Sequence, residues 1–143
     1  MTASQAIIED RRRAALLYVD DDPAAVALVE QLIARRSDVL LLRAANAKHG
    51  VKVARAARPQ VILLNIDLAG IGAVQFMQLV RKDPGMQGTP ILALGADVAP
   101  AAVTKSLEAG FFQYLAKPMK AEQFLEALSY ALEFSARELE ESR

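Results

Sequence analysis

Four sets of residues have the types and spacing that chemistry needs. Asp20, Asp21 and Asp22 directly follow the apolar run Ala14–Val19. Asn65 and Asp67 close the apolar run inside "PQVILLNIDLAG". Gly95 ends "PILALG", and Lys117 follows "FQYLA" and precedes Pro118. Clustered carboxylates repel one another, and either a hard cation such as Mg2+ or a nearby ammonium relieves them. Asp20 and Asp21 together read as a cation site with Lys117 as the compensating ammonium. Asp22, just before Pro23, reads as a helix cap. Asn65 is the anomaly, because it places an amide where a carboxylate would be chemically more useful. His49, the only histidine, has no acid beside it and reads as an exposed residue.

The elements that position these groups follow from the hydrophobic pattern. Five short apolar runs, Ala14–Val19, Val39–Leu42, Val61–Leu64, Ile91–Leu94 and Phe112–Leu115, have the length and composition of buried strands. Helical spacing intervenes each time. Val26, Val29, Leu32 and Ile33 follow the Asp22-Pro23 start; Val51, Val53 and Ala54 follow a cap at Asn46 and stop before Pro59. Val74, Met77, Leu79 and Val80 mark a third helix, after which "DPGMQGTP" is turn chemistry. Pro100 opens a fourth helix that stops at Gly110, and a long last helix begins near Lys120. Strands buried on both faces and joined by helical crossovers form a parallel sheet. The fold expected is α/β, a flavodoxin-like doubly wound five-stranded parallel sheet of order 2-1-3-4-5 with five helices. Ligands of such sheets bind beyond the carboxyl ends of the strands, where all four sets of residues lie.

Composition narrows the function classes. The 143 residues are 53% hydrophobic and 24% charged, as in a globular domain, and suffice for one core. Lys plus Arg and Asp plus Glu both number 17, so no net field recommends nucleic acid or an anionic membrane as partner. The absence of cysteine removes disulfides, thiolate zinc sites and a Cys nucleophile. No apolar run approaches the roughly 20 residues needed to span a bilayer, and "MTASQAIIEDRRR" lacks the order of a secretory signal. A cytoplasmic protein is expected. Its parts are an N-terminal arm over 1–13, ending in Arg11–Arg13, one domain over 14–135, and a C-terminal helix extension over 136–143. Ala121, Leu125, Leu128, Leu132, Ser135 and Leu139 repeat at heptad spacing; the early members are expected in the core and the later ones as a short coiled-coil seam or a frayed helix end.

"LLYVDDDP", "PQVILLNIDLAG", "PILALGA" and "GFFQYLAKP" resemble, in order and spacing, the receiver domain of two-component response regulators. The likeness covers about residues 14–135. The wording from strand five onward is similar to receivers at the C-termini of hybrid histidine kinases. The resemblance implies that Asp20 and Asp21 hold Mg2+ and that position 65 accepts a phosphoryl group from a kinase histidine. It implies that a hydroxyl at position 95 and Lys117 grip the phosphoryl oxygens, and that Tyr114 reports the change by rotating. Against that pattern stand Asn65 and Gly95. An amide is a poor nucleophile and forms no stable acyl phosphate. Gly95 has no hydroxyl to move toward a phosphoryl group and draw Tyr114 inward, so both ends of the switch read as missing. Loss at two sites argues for natural degeneration rather than an isolated substitution.

The implied function is a pseudo-receiver, a regulatory interaction module rather than an enzyme. Its partners would be a sensor histidine kinase or another signalling domain. A homodimer through the fourth helix, fifth strand and fifth helix is the family's usual alternative. Any metal held by Asp20, Asp21, Asn65 and Asp67 is expected to be weak or absent. Asp67 either points away in an irregular loop or restores part of the charge lost at Asn65. Two rival readings remain: residual phosphorylation at Asp67, and a haloacid-dehalogenase-like phosphatase with Asp20 as nucleophile and Asp22 as acid/base. Residues 136–143 are too few for an effector domain, so output is expected elsewhere in a longer chain or in another protein.

Overall fold

The computed structural model describes residues 13–141; the expected arm over 1–13 lies outside these apart from Arg13. The elements run β1 (Ala14–Val19), α1 (Pro23–Ala34), β2 (Val39–Ala44), α2 (Ala47–Ala57), β3 (Val61–Asn65), α3 (Ala73–Arg81), β4 (Ile91–Gly95), α4 (Pro100–Glu108), β5 (Gln113–Ala116) and α5 (Ala121–Glu141). The five strands form one parallel sheet of order β2-β1-β3-β4-β5. The expected topology is the observed one. Three strands run one or two residues past their apolar runs, because the ladder continues as long as backbone partners remain in register. β5 is displaced by one residue, from 112–115 to 113–116.

Two helices start at side-chain caps. Asp22 accepts from the Ala24 amide at 3.1 Å, and Asn46 accepts from the His49 amide at 2.8 Å. Each satisfies one of the amides a helix start leaves unpaired. Gly110, at φ 110°, lets the chain turn out of α4 toward β5.

Alternation along the strands divides the core in two. Leu16, Tyr18, Leu63, Leu92 and Leu94 face α1 and α5, which contribute Val29, Ile33, Phe124 and Leu128. Leu17, Val19, Ile62, Leu64 and Ile91 face α2 and α3, which contribute Val51, Ala54, Phe76 and Val80. α2 lies especially close. A Cβ at Gly50 would come within 2.9 Å of Val19 Cγ2 and 3.2 Å of Phe76, so only glycine permits this approach. By contrast, α4 buries no residue completely.

On α5 the buried positions are Phe124, Ala127, Leu128 and Ala131. The heptad positions Ala121, Leu125 and Leu132 lie at the margin of that stripe, and Leu139 is exposed. Of the early heptad members, Leu128 is fully buried in the core and Leu125 and Leu132 pack against it. A helix on a sheet buries a broad stripe of 3.6-residue period, not a two-position seam. Tyr130 and Phe134 instead flank Phe112, with ring centroids 5.6 and 5.0 Å away.

Candidate functional site

Sheet order reverses between β1 and β3, which opens a crevice beyond their carboxyl ends. Register brings the strand ends level. Val19 pairs with Leu64, Asn65 with Leu94, and Gly95 with Ala116. The backbone continues the ladder just past the strands, with Ile66 N on Leu94 O at 2.9 Å and Lys117 N on Gly95 O at 3.0 Å. Asp20, Asn65, Asp67 and Lys117 consequently meet in one network, as their positions at the strand ends predicted.

Asp20 is 4% exposed and Asn65 6%, the two buried polar side chains among the described residues. A buried carboxylate must have its oxygens satisfied. Asp20 Oδ1 accepts from Asn65 Nδ2 at 3.0 Å and from the Asp22 amide at 3.1 Å, while Oδ2 accepts from the Tyr18 hydroxyl. Asn65 spends both ends of its amide. Its Oδ1 accepts from Lys117 Nζ at 2.7 Å and from the Asp67 amide at 2.9 Å. An amide at position 65 thus pairs with Asp20 as donor to acceptor, where a second carboxylate would repel it.

Lys117 does not compensate Asp20 and Asp21 directly. Its ammonium lies 2.9 Å from Asp67 Oδ2, which also accepts from the Ala96 amide at 2.8 Å. Of the two orientations open to Asp67, the structure has the side chain turned into the site. Burial alone would raise the Asp67 pKa; the Lys117 hydrogen bond, the Ala96 amide and the Lys117 charge outweigh it and hold the carboxyl below its ordinary value. Asp21 is exposed. His49 is exposed too, as expected.

Both Asp20 oxygens already accept from protein donors, and Asp67 is committed to Lys117 and Ala96. Among the described residues no group of three or more His, Cys, Asp or Glu side chains is placed to hold a metal ion.

Tyr114 lies across the end of β4. Its hydroxyl donates to Asp97 O at 2.5 Å. A Cβ at position 95 would overlap that hydroxyl and stand 2.9 Å from the ring Cζ and 3.0 Å from Ile66 Cδ1. With glycine at 95 the Tyr114 ring occupies space at the end of β4 that a side chain there would take.

Residues 16–129 match the family described as the response regulator receiver domain. The chain belongs to that family. Among curated relatives of the receiver, the protein-glutamate methylesterase/protein-glutamine glutaminase of Desulfitobacterium hafniense is 33% identical over 95 residues, covering 63% of this chain and 23% of its own length. The nitrate/nitrite response regulator protein NarL of Escherichia coli is 28% identical over 104 residues, covering 72% and 47% respectively. The receiver thus spans less than half the length of either relative. The chemotaxis response regulator CheY4 of Vibrio cholerae superposes with a TM-score of 0.76 at 25% identity, over 84% of this chain and 99% of that one.

Sequence reasoning missed Tyr18, treating it only as part of an apolar strand. A signal existed: residues two apart in a strand share a face, so Tyr18 and Asp20 were bound to point the same way. It also missed the Ala96 amide and the Asp97 carbonyl, backbone groups that residue types do not reveal.

Burial, then the hydrogen bond and charge of Asp20 and the charge of Asp22, push the Tyr18 phenol far above its ordinary value. The folded receiver keeps this proton where the unfolded chain, with a phenol pKa of about 10, loses it. The stabilisation is complete below about pH 10 and is lost as pH rises further. Tyr18→Phe should cost on the order of 1.5 kcal/mol at neutral pH, and the difference from wild type should shrink above about pH 10. Urea unfolding of both proteins between neutral and strongly alkaline pH measures it; a constant difference across the range overturns the assignment.

Proposed function

We propose that this receiver is a pseudo-receiver of two-component phosphorelay signalling, a regulatory interaction module that does not form an aspartyl phosphate. The observation carrying this reading is Asn65: an amide at the end of β3, buried, with both its oxygen and its nitrogen engaged in the network. It is a poor nucleophile by chemistry, and its bonding holds it in place. Gly95 supports the same reading by providing no hydroxyl.

Magnesium is at most weakly held in this reading, since Asp20 offers a cation no oxygen free of a protein donor. The phosphatase alternative loses its acid/base, because Asp22 caps α1 through the Ala24 amide. Its nucleophile, Asp20, is buried and hydrogen-bonded at both oxygens.

The partner is a sensor histidine kinase or another signalling domain in the cytoplasm, with neither nucleic acid nor membrane as ligand. Among the described residues no helix is long and apolar enough to cross a membrane. The α4–β5–α5 face supports docking or dimerisation. It carries a groove of about 380 Å³ lined by Val98, Val103, Gln113, Tyr114, Gln123 and Glu126 among others. Tyr114 belongs both to that groove and to the site, so the state of the one is visible at the other.

Incubation with acetyl phosphate and Mg2+, or with a cognate kinase, should leave the protein without an acid-stable, alkali-labile phosphoryl group. Stoichiometric labelling overturns the proposal, and phosphopeptide mapping then decides whether Asp67 or another acid carries the label.

A further inference from the structure

Lys117 and the backbone amide of Ala96 form an oxyanion subsite at the ends of β5 and β4. An ammonium and an amide converging on one point bind an anion between them more strongly than a neutral acceptor. Here the chain supplies it: Asp67 Oδ2 lies 2.9 Å from Lys117 Nζ and 2.8 Å from Ala96 N. We propose that Asp67 is a built-in anion that fills the phosphoryl subsite of this receiver and holds the ends of β4 and β5 in one state. The inference rests on the reading that position 65 accepts no phosphoryl group, and it adds what occupies the space instead.

Three observations support it. First, the loop is shaped to return the carboxylate to the site. The Asp67 amide donates to Asn65 Oδ1 at 2.9 Å, closing an Asx-type turn that fixes the residue beside Lys117. Asn65 thus serves as the scaffold for the anion.

Second, donors and acceptors match in number. A phosphoryl group carries about two negative charges and three acceptor oxygens, whereas a carboxylate carries one charge and two oxygens. With no hydroxyl at Gly95, one ammonium and one amide remain, which a carboxylate satisfies through Oδ2. The Asp67 side chain is 42% exposed, so water reaches the remainder.

Third, the bonds continue to the partner face. Ala96, held by Asp67, lies between Gly95, over which Tyr114 packs, and Asp97, whose carbonyl accepts the Tyr114 hydroxyl. A tethered carboxylate also has a high effective concentration against any free anion. The receiver therefore has no vacancy for phosphate and no dependence on it.

The test compares wild type with Asp67→Asn by NMR at the Ala96 amide and the Tyr114 ring, during titration with inorganic phosphate. In wild type neither resonance should move through millimolar phosphate. Asp67→Asn should shift both before any phosphate is added, and phosphate should then bind at least about tenfold more tightly than to wild type. Unchanged Ala96 and Tyr114 resonances in the variant, or a smaller gain in phosphate affinity, overturn the proposal. Phosphate binding by wild type that perturbs Ala96 at or below millimolar concentration overturns it without the variant, so a folding defect cannot shelter it. Covalent labelling by acetyl phosphate is a separate readout: it sinks the pseudo-receiver reading, whereas these shifts test the occupant of the subsite.

Discussion

Asn65→Asp, the substitution that restores an acid at the end of β3, should destabilise the protein. Asn65 Nδ2 now donates to Asp20 Oδ1 at 3.0 Å with both side chains buried. A second carboxylate there removes the donor and sets two like charges in contact. One carboxyl of such a pair resists ionisation, and raising its pKa by about two units costs about 3 kcal/mol at pH 7. Lys117 offsets part of this, being 2.7 Å from position 65, but its charge is already shared with Asp67.

The sign with pH follows. The new carboxyl has a folded pKa above its unfolded value, so the deficit is greatest at neutral pH and closes as pH falls through about 4, where the unfolded chain binds the proton too. A divalent cation should also close it, because a ligand of the folded state alone stabilises that state by mass action. Thermal melts from pH 7 down to about pH 4 in chelator, and at pH 7 in Mg2+, measure both effects. A variant as stable as wild type in chelator would show that Asn65 is not what relieves Asp20.

Gly95→Thr should expel Tyr114 from the end of β4 almost completely. The introduced Cβ overlaps the Tyr114 hydroxyl, so the two cannot share the space, and the hydrogen bond to Asp97 O must break. The ring is the far end of a flexible side chain, so the response is a rotation rather than loss of the fold. The net stability change should stay near the worth of one lost hydrogen bond, about 1 kcal/mol. Tyr114 should become reactive toward a phenol-acylating reagent such as N-acetylimidazole and its ring resonances should average. Tyr18, 1% exposed, should stay protected and Tyr130, 64% exposed, reactive in both proteins. An unaltered Tyr114 environment would mean that the backbone yields instead of the ring. Since Tyr114 lines the groove of the α4–β5–α5 face, the same variant should change affinity for any partner that docks there.

Much of this architecture was legible in the sequence. Strands reveal themselves by short apolar runs bounded by turn chemistry, and Asp22-Pro23 and Asn46 announce their helices by cap preference. Both are local signals, carried by neighbours within a few residues. The strand-end rule then turned five runs into a short set of candidates, and the structure assembles Asp20, Asn65, Asp67 and Lys117 in one place. Heptad spacing in α5 found Leu128 and its flanks Leu125 and Leu132 but not Phe124, Ala127 and Ala131, because the sheet rather than a second helix is its partner.

Sequence by itself determined the fold class, the positions of the acids, amide and lysine at the sheet edge, and the two departures, Asn65 and Gly95, that set this receiver apart from the pattern it resembles. Only the tertiary structure decided what those groups do to one another. Asp67 meets Ala96 across 29 residues, Asn65 meets Asp20 across 45, and Lys117 meets Asn65 across 52. Side-chain direction in a loop is set by whichever distant donor arrives, and no periodicity encodes it. The amide at the end of β3 is therefore a missing acceptor when read along the chain, and a working hydrogen-bond partner when seen in the fold.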